Sequence, residues 1–409
     1  MSVEFRIDGE RLWGSLMEMA RIGATPKGGV KRLTLTELDR QGRDLFVSWC
    51  KQAGLSVSVD SVGNIFARRA GRNNALPPVV SGSHLDTQPS GGRFDGCFGV
   101  IAALEVARTL NDHGVNTEAP YEIAMWTNEE GSRFLPVMGG SGAFAGGFTV
   151  EQLRAERDPD GVSFGEALDA IGYAGAAPVG GRKLGAYFEA HIEQGPILEN
   201  TGNTIGVVTG ALGQRWFEVT VTGMDSHAGP TPMHLRRDAL LGASHLIQAV
   251  NRLAKVTEHS RGTVGMIVNS PNSRNVVPGE TVFSVDFRDT EVSGLDRMEQ
   301  GLRAAAAKVA LEHGLIIGIR QTVFFPTCHF DAACVAAVRD GAARLGLSHM
   351  DIVSGAGHDA VNVAGVAPTA MIFVPCEGGV SHNEIENAKP EDLAAGCNVL
   401  LQAVLARAG

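Results

Sequence analysis

The sequence has no CxxC pair, no cluster of Lys and Arg, no uncharged apolar run of membrane length and no internal repeat. Each absence removes a class of protein. Cys50, Cys97, Cys328, Cys334, Cys376 and Cys397 are scattered through 409 residues. That spacing argues against a disulfide framework and for reduced thiols in a cytosolic protein. Cys97 lies two residues after Asp95 and is read as a small buried apolar residue. Without a basic stripe, nucleic acid is not the expected partner. Without a long apolar run, no membrane span is expected. The opening stretch, MSVEFRIDGERLWG, lacks the basic and apolar regions of a secretory leader. A net charge of −10 speaks to solubility and little else.

What is abundant is glycine, 52 residues, much of it in pairs or beside polar residues. Such loops bring backbone close to a ligand. Around them, apolar strand-like runs alternate with helical stretches. Helices are expected over 10–25 and 36–54, a hairpin in VSVSVDSVGNIFARRA, and strands in PPVVSGSHLDT and YEIAMWTNEEGS. GCFGVIAALEVARTLNDHG reads as a helix between the last two. This alternation predicts an α/β sheet with helices on its faces. From about 212 the order becomes strand, helix, strand, strand, helix, strand, the ferredoxin-like pattern. After about 326 the α/β style returns, with helices at 331–346 and 390–407. The expected organisation is therefore a catalytic domain built from 1–211 and 327–409, interrupted by an inserted domain at 212–326.

The polar residues fall in a telling place. SGSHLDT, NEEG, EAHIEQG and GGVSHNE each follow an apolar strand-like run. Ligands of open α/β sheets bind at the carboxyl ends of strands. His84, Glu129, Glu130, His191 and His382 are thus offered to one crevice, and GGRFDGCFG adds Asp95 on a glycine-rich loop. Taken singly, a histidine is a common structural residue and paired glutamates a common solvated surface. Together, three imidazoles and two carboxylates suffice for two metal ions if Asp95 bridges. Imidazole and carboxylate ligands suit zinc, manganese, cobalt or nickel. Glu129, beside Glu130 but pointing elsewhere, is placed to act as general base on water. Asp86, two residues beyond His84, is expected to orient its ring.

SGSHLDT, GGRFDG, WTNEEGSRF, HIEQGP, DSHAGPTPM, RNVVPGE, DFR, SGAGHDA and SHNE resemble, in order, the motifs of the hydantoinase/carbamoylase amidases within the M20 metallopeptidase group. The resemblance implies a two-metal, aminopeptidase-like catalytic domain carrying an inserted ferredoxin-like lid and dimerisation domain. His84, His191 and Asp95 would hold one ion. Asp95, Glu130 and His382 would hold the other, with Glu129 as catalytic base. It further implies substrate contacts from Gln194, Asn275, Gly357 and Arg288, the last a clamp on the substrate carboxylate, and an oxyanion donor, His227, supplied by the second subunit of a homodimer. On the residues alone, Arg288 reads instead as a surface arginine paired with Asp286 or Asp289. The implied activity is hydrolysis of an N-carbamoyl-L-amino acid. Allantoate and β-ureidopropionate are the substrates of close relatives, and a dipeptidase or aminoacylase is a remoter reading that His191 opposes. His358 and Asp359, beside Gly357, are expected as neighbours of the site.

Overall fold

A computed structural model describes residues 5–409; the first four residues of the opening stretch lie outside it. The chain is mixed α/β and divides into two compact units, one running up to Thr209 and resuming over Phe330–Gly409, the other Gly210–His329.

The first unit is built on strands Val79–His84, Tyr121–Trp126, Ala186–Ile192 and Thr369–Val374, in which every residue is buried. Burial on both faces is what parallel strands covered by helices require. Val79–His84 pairs in parallel with Tyr121–Trp126 on one side and Ala186–Ile192 on the other, and Ala186–Ile192 pairs in parallel with Thr369–Val374. The hairpin Ser56–Val59 and Ile65–Arg69 extends one edge antiparallel. Ile205–Ala211 extends the other. Helices Cys97–Asp112 and Pro390–Ala408 cover the sheet with largely apolar surfaces. Because the four central strands run the same way, their carboxyl ends lie together. There the chain places His84, Glu129 with Glu130, His191 and the loop to His382.

The N-terminal helix, expected to reach 25, runs Gly9–Met19. The reason lies in Arg32, which is fully buried and whose Nη1 donates to the carbonyls of Met19 and Ile22 at 3.1 and 2.8 Å. Those carbonyls turn inward to solvate a buried cation instead of continuing the helix. The same guanidinium reaches Leu85 O through Nε, and through Nη2 the buried Cys97 Sγ, each at 2.8 Å.

The second unit has the ferredoxin-like order. Its sheet runs Ile267–Ser270, Glu280–Asp289, Gly213–Thr222, Ile316–Phe325, all antiparallel. Phe217, Val219, Val221, Phe283, Val285 and Phe287 turn to one face and pack with Leu246, Val250, Leu295, Met298 and Leu302 of helices Ala239–Ala254 and Val292–His313. The strand expected over GTVGMIVN is interrupted. Thr263 lies opposite Asp286 and Ile267 opposite Phe283, so four steps on one strand match three on the other. One extra residue is a β-bulge, here around Gly265.

Candidate metal centre

The four strand ends converge on Asp95. Its Oδ1 lies 3.3 Å from His191 Nε2 and 3.7 Å from His84 Nε2. Its Oδ2 lies 3.4 Å from His382 Nε2, which is also 3.4 Å from Glu130 Oε2. Two groups of three possible ligands result, His84–Asp95–His191 and Asp95–Glu130–His382, sharing Asp95. These separations are longer than good hydrogen bonds. Three of the four fall at the spacing of two ligand atoms on one tetrahedral ion, and the His84 separation lies just beyond it: bonds of ~2.0–2.2 Å place neighbouring ligands about 3.3–3.6 Å apart. The donor set therefore fits a pair of divalent ions bridged by one carboxylate.

The imidazoles are prepared for this. His84 Nδ1 faces the backbone carbonyl of Asp86, and His191 Nδ1 that of Ile192, each at 2.9 Å. A carbonyl can only accept, so Nδ1 carries the hydrogen and Nε2 is left to receive an ion. Burial holds the His84 pKa down to about 4, against the pull of Asp95. Burial would lower His191 as well, but the Asp95 carboxylate 3.3 Å away raises it to about 9. A cation on the cluster takes the place of that proton.

Asp86 differs in detail from expectation. Its carboxylate stands 3.8 Å from His84 Nδ1, and it is the main-chain carbonyl that orients the ring. The carboxylate instead accepts from the backbone N–H of Glu129 and of Glu130, both at 3.3 Å. Asp86 thus fixes the segment bearing the two glutamates.

That segment, Thr127–Glu130, follows Trp126 as a bend, not as strand. Asn128 has φ 59°, a left-handed conformation that costs energy outside glycine. Its Nδ2 offsets this by donating to Phe134 O and Pro136 O at 2.9 and 3.1 Å. Deeper in, Thr127 N donates to Asn64 Oδ1 at 3.0 Å and Arg43 Nη2 to Thr127 Oγ1 at 3.2 Å. The bend sends the glutamates to different groups. Glu130 faces His382, and Glu129 Oε2 comes within 3.5 Å of His84 Nε2. Burial, then the charges of Asp359, Glu130, Asp95 and Asp86, push the Glu129 carboxyl well above the usual range. Gln88 grips the Glu130 carboxylate from the other side, with its backbone N–H at 3.1 Å and Nε2 at 2.6 Å.

Gln194 and His382 also sit at positive φ, 58° and 53°. Gln194 Nε2 donates to Asp95 Oδ2 at 2.9 Å and to Ser381 Oγ at 3.1 Å. Gly357 faces Met138, whose Cε would lie 3.2 Å from an added Cβ. His358 is buried with its ring 4.6 Å from that of His191, and Ser354 Oγ is 2.9 Å from its Nε2. His227, Asn275 and Arg288 all belong to the second unit. His227 and Asn275 are neighbours there, since Ser226–His227 pairs with Val276–Val277 and Ala228 N donates to Asn275 O at 2.9 Å. Arg288 grips Asp286, Nη2 to Oδ2 at 2.9 Å and Nε to Oδ2 at 3.1 Å. That is the pairing expected of a surface arginine, and any incoming carboxylate would compete with it.

Glu386 and Gln88 were not legible as site residues. Both are loop residues of a type that is exposed by default, and only the fold carries Glu386 to the Asp95 loop.

Residues 80–406 match the family model described as Peptidase family M20/M25/M40. An N-carbamoyl-L-amino-acid amidohydrolase of Rhizobium meliloti is 49% identical over 98% of this chain and 96% of its own. An enzyme of the same description from Geobacillus stearothermophilus is 40% identical over 97% of this chain and 98% of its own. A solved amidase of the hydantoinase/carbamoylase family from Burkholderia multivorans superposes with a TM-score of 0.96 at 58% identity, covering 99% of this chain and 98% of the other.

Proposed function

The chain belongs to peptidase family M20/M25/M40 and within it to the hydantoinase/carbamoylase amidases, and from that premise we propose that it hydrolyses the N-carbamoyl group of an N-carbamoyl-L-amino acid. The products are the free L-amino acid, ammonia and carbon dioxide. The observation that carries this reading is the gathering of three imidazoles and Glu130 around Asp95, with the buried Glu129 beside them.

His84, Asp95 and His191 would hold one divalent ion, and Asp95, Glu130 and His382 a second, zinc ahead of manganese, cobalt or nickel. Bound there, the ions would supply Lewis acidity toward the ureido carbonyl and would acidify a bound water. Glu129 removes the proton of the attacking water, and the new C–O bond forms at the ureido carbon. Glu129 then delivers that proton to the nitrogen that leaves with the amino acid, so the base becomes the acid. The carbamate released breaks down to ammonia and carbon dioxide. His227 donates to the developing oxyanion. Arg288 exchanges Asp286 for the substrate carboxylate, a fork-shaped donor meeting a planar acceptor. Asn275, Gln194 and Gly357 line the substrate. His227 is exposed on its unit, which suits a residue donated to the partner subunit of a two-fold homodimer. The unpaired state of all six cysteines supports a reducing, cytosolic setting. Among the described residues no helix is long and apolar enough to cross a membrane.

The test is ammonia release by the metal-loaded full chain offered N-carbamoyl-L-methionine, β-ureidopropionate or allantoate separately. The carbamoyl amino acid should turn over fastest. Faster release from either of the others would move the assignment to that substrate, and none from any would overturn it.

A further inference from the structure

Asp95 is the hub of the metal centre, and its loop, Gly91–Gly96, is tied at its start by a single β-bridge from Gly91 to Val30 and at its end by helix Cys97–Asp112, with no strand between to hold Asp95 itself in register. Something else must fix it, because ligand atoms have to be placed within about 0.5 Å to hold an ion well.

The answer lies 291 residues away. Glu386 is 1% exposed, and its Oε1 accepts from the backbone N–H of both Phe94 and Asp95, at 3.0 and 3.1 Å. Its Oε2 lies 3.1 Å from Ser381 Oγ, which is also 3.1 Å from Asp95 Oδ2. The serine hydroxyl has one hydrogen. With Asp95 Oδ2 engaged by a cation, that hydrogen goes to Glu386, and the serine oxygen accepts from Gln194 Nε2. The loop closes over the glutamate because Gly92 has no side chain: an added Cβ would fall 2.1 Å from Glu386 Oε1 and Cδ. His382 stands four residues before Glu386 on the same loop, at φ 53°. One buried carboxylate thus ties the segment carrying the bridging ligand to the segment carrying the His382 ligand.

We propose that Glu386, acting through Ser381 and the Phe94–Asp95 peptides, is the positioning residue that sets ion affinity at the Asp95–Glu130–His382 group. The proposal rests on the two-ion reading of the centre. Glu386 belongs to neither group of possible ligands around Asp95. It determines where Asp95 and His382 stand relative to one another, and residues that orient ligands in this way change metal affinity by roughly 10–100-fold when removed.

Calorimetric titration of the metal-free full chain with Zn²⁺ tests this, with circular dichroism on each variant as the check of fold. The parent should take up two ions per chain. Glu386→Ala should weaken the site that uses both Asp95 and His382 by about 10–100-fold, and the site that shares only Asp95 by clearly less. Glu386→Gln, which keeps an acceptor for the two N–H groups, should recover part of that loss. Ser381→Ala keeps the carboxylate whole and is the variant least able to disturb folding; it should weaken the same site by a smaller factor. Two parental affinities in folded Glu386→Ala and Ser381→Ala would overturn the positioning role while leaving the two-ion reading intact. Equal weakening of both sites would also overturn it, since the loss would then be general. A parent that binds fewer than two ions would remove the reading on which the role depends.

Discussion

Gly96 tests the geometry of the metal centre without replacing a ligand, although its backbone N–H reaches His191 Nε2 at 3.2 Å. It follows Asp95 at φ 65°, and a Cβ built on it would lie 2.3, 2.4 and 2.5 Å from Cε1, Nε2 and Cδ2 of His84. Carbon atoms in ordinary contact stand about 3.5–4.0 Å apart. In Gly96→Ala the ring or the loop must therefore give way by about 1 Å or more. The ring is held by its hydrogen bond to Asp86 O and by a strand buried along its length, so much of the movement falls on the Asp95 loop. A backbone at φ 65° and ψ −49° is sparsely populated and adds roughly 1–3 kcal/mol for a residue with a Cβ. A misplacement of about 1 Å lowers turnover ~100-fold. Metal content after dialysis and ammonia release per protein are the readouts. The variant should fold, lose metal and lose activity by about two orders of magnitude. Parental metal content with parental turnover would refute the reasoning, because it would mean that the His84–Asp95 spacing is not under steric control.

Chelation should lower the thermal midpoint by several degrees, since ions that bind only the folded chain stabilise it by ~2.7 kcal/mol per site at a hundredfold excess over Kd; an unchanged midpoint counts against a buried metal pair. Arg288→Ala should raise KM for carboxylate-bearing substrates by about 10-fold or more, the worth of a charge-assisted fork, and an unchanged KM would remove the clamp. Asp60 supplies a pH test away from the ligands. It is buried beneath the Thr127 bend, accepts from Val62 N, Asn64 N and Asn64 Nδ2 at 3.0, 2.9 and 2.8 Å, and burial pushes it up to about 6 despite those bonds and nearby Arg43. A carboxyl raised in the folded state holds its proton more tightly there, so folding loses stability as pH rises from about 4 through 6. Relative to Asp60→Asn, the parent should lose thermal stability over that window; a pH-independent difference contradicts the shift.

The legible features were those with a periodic or terminal mark. His84, Glu129, Glu130 and His191 stand just past or within the last turns of apolar runs, and an apolar run that ends in a charged residue is visible in one dimension. The β-α-β-β-α-β order of the second unit was visible for the same reason. Its bulge near Gly265 was not, because one added residue leaves the apolar pattern almost unchanged. The supports of the site were hidden more thoroughly. Arg43 and Asp39 look like an exposed i,i+4 pair on a helix, yet both are 1% exposed and joined at 2.9 Å, with Arg43 reaching up to Thr127. Glu386 lies in a run of polar residues, SHNEIEN, where Glu384 and Glu386 look alike. Only Glu386 meets the Asp95 loop with its carboxylate, and that meeting depends on a closure across 291 residues. Partnership across such a span is a property of the folded chain.

The central claim is that Glu129 activates water beside a metal pair held around Asp95. The direct measurement compares ammonia release from N-carbamoyl-L-methionine by the parent and by Glu129→Gln at matched metal content. Glu129→Gln should keep both ions and lose activity by at least the ~10²–10⁴-fold ascribed to a general base. Near-parental release from a fully loaded Glu129→Gln protein would contradict the account.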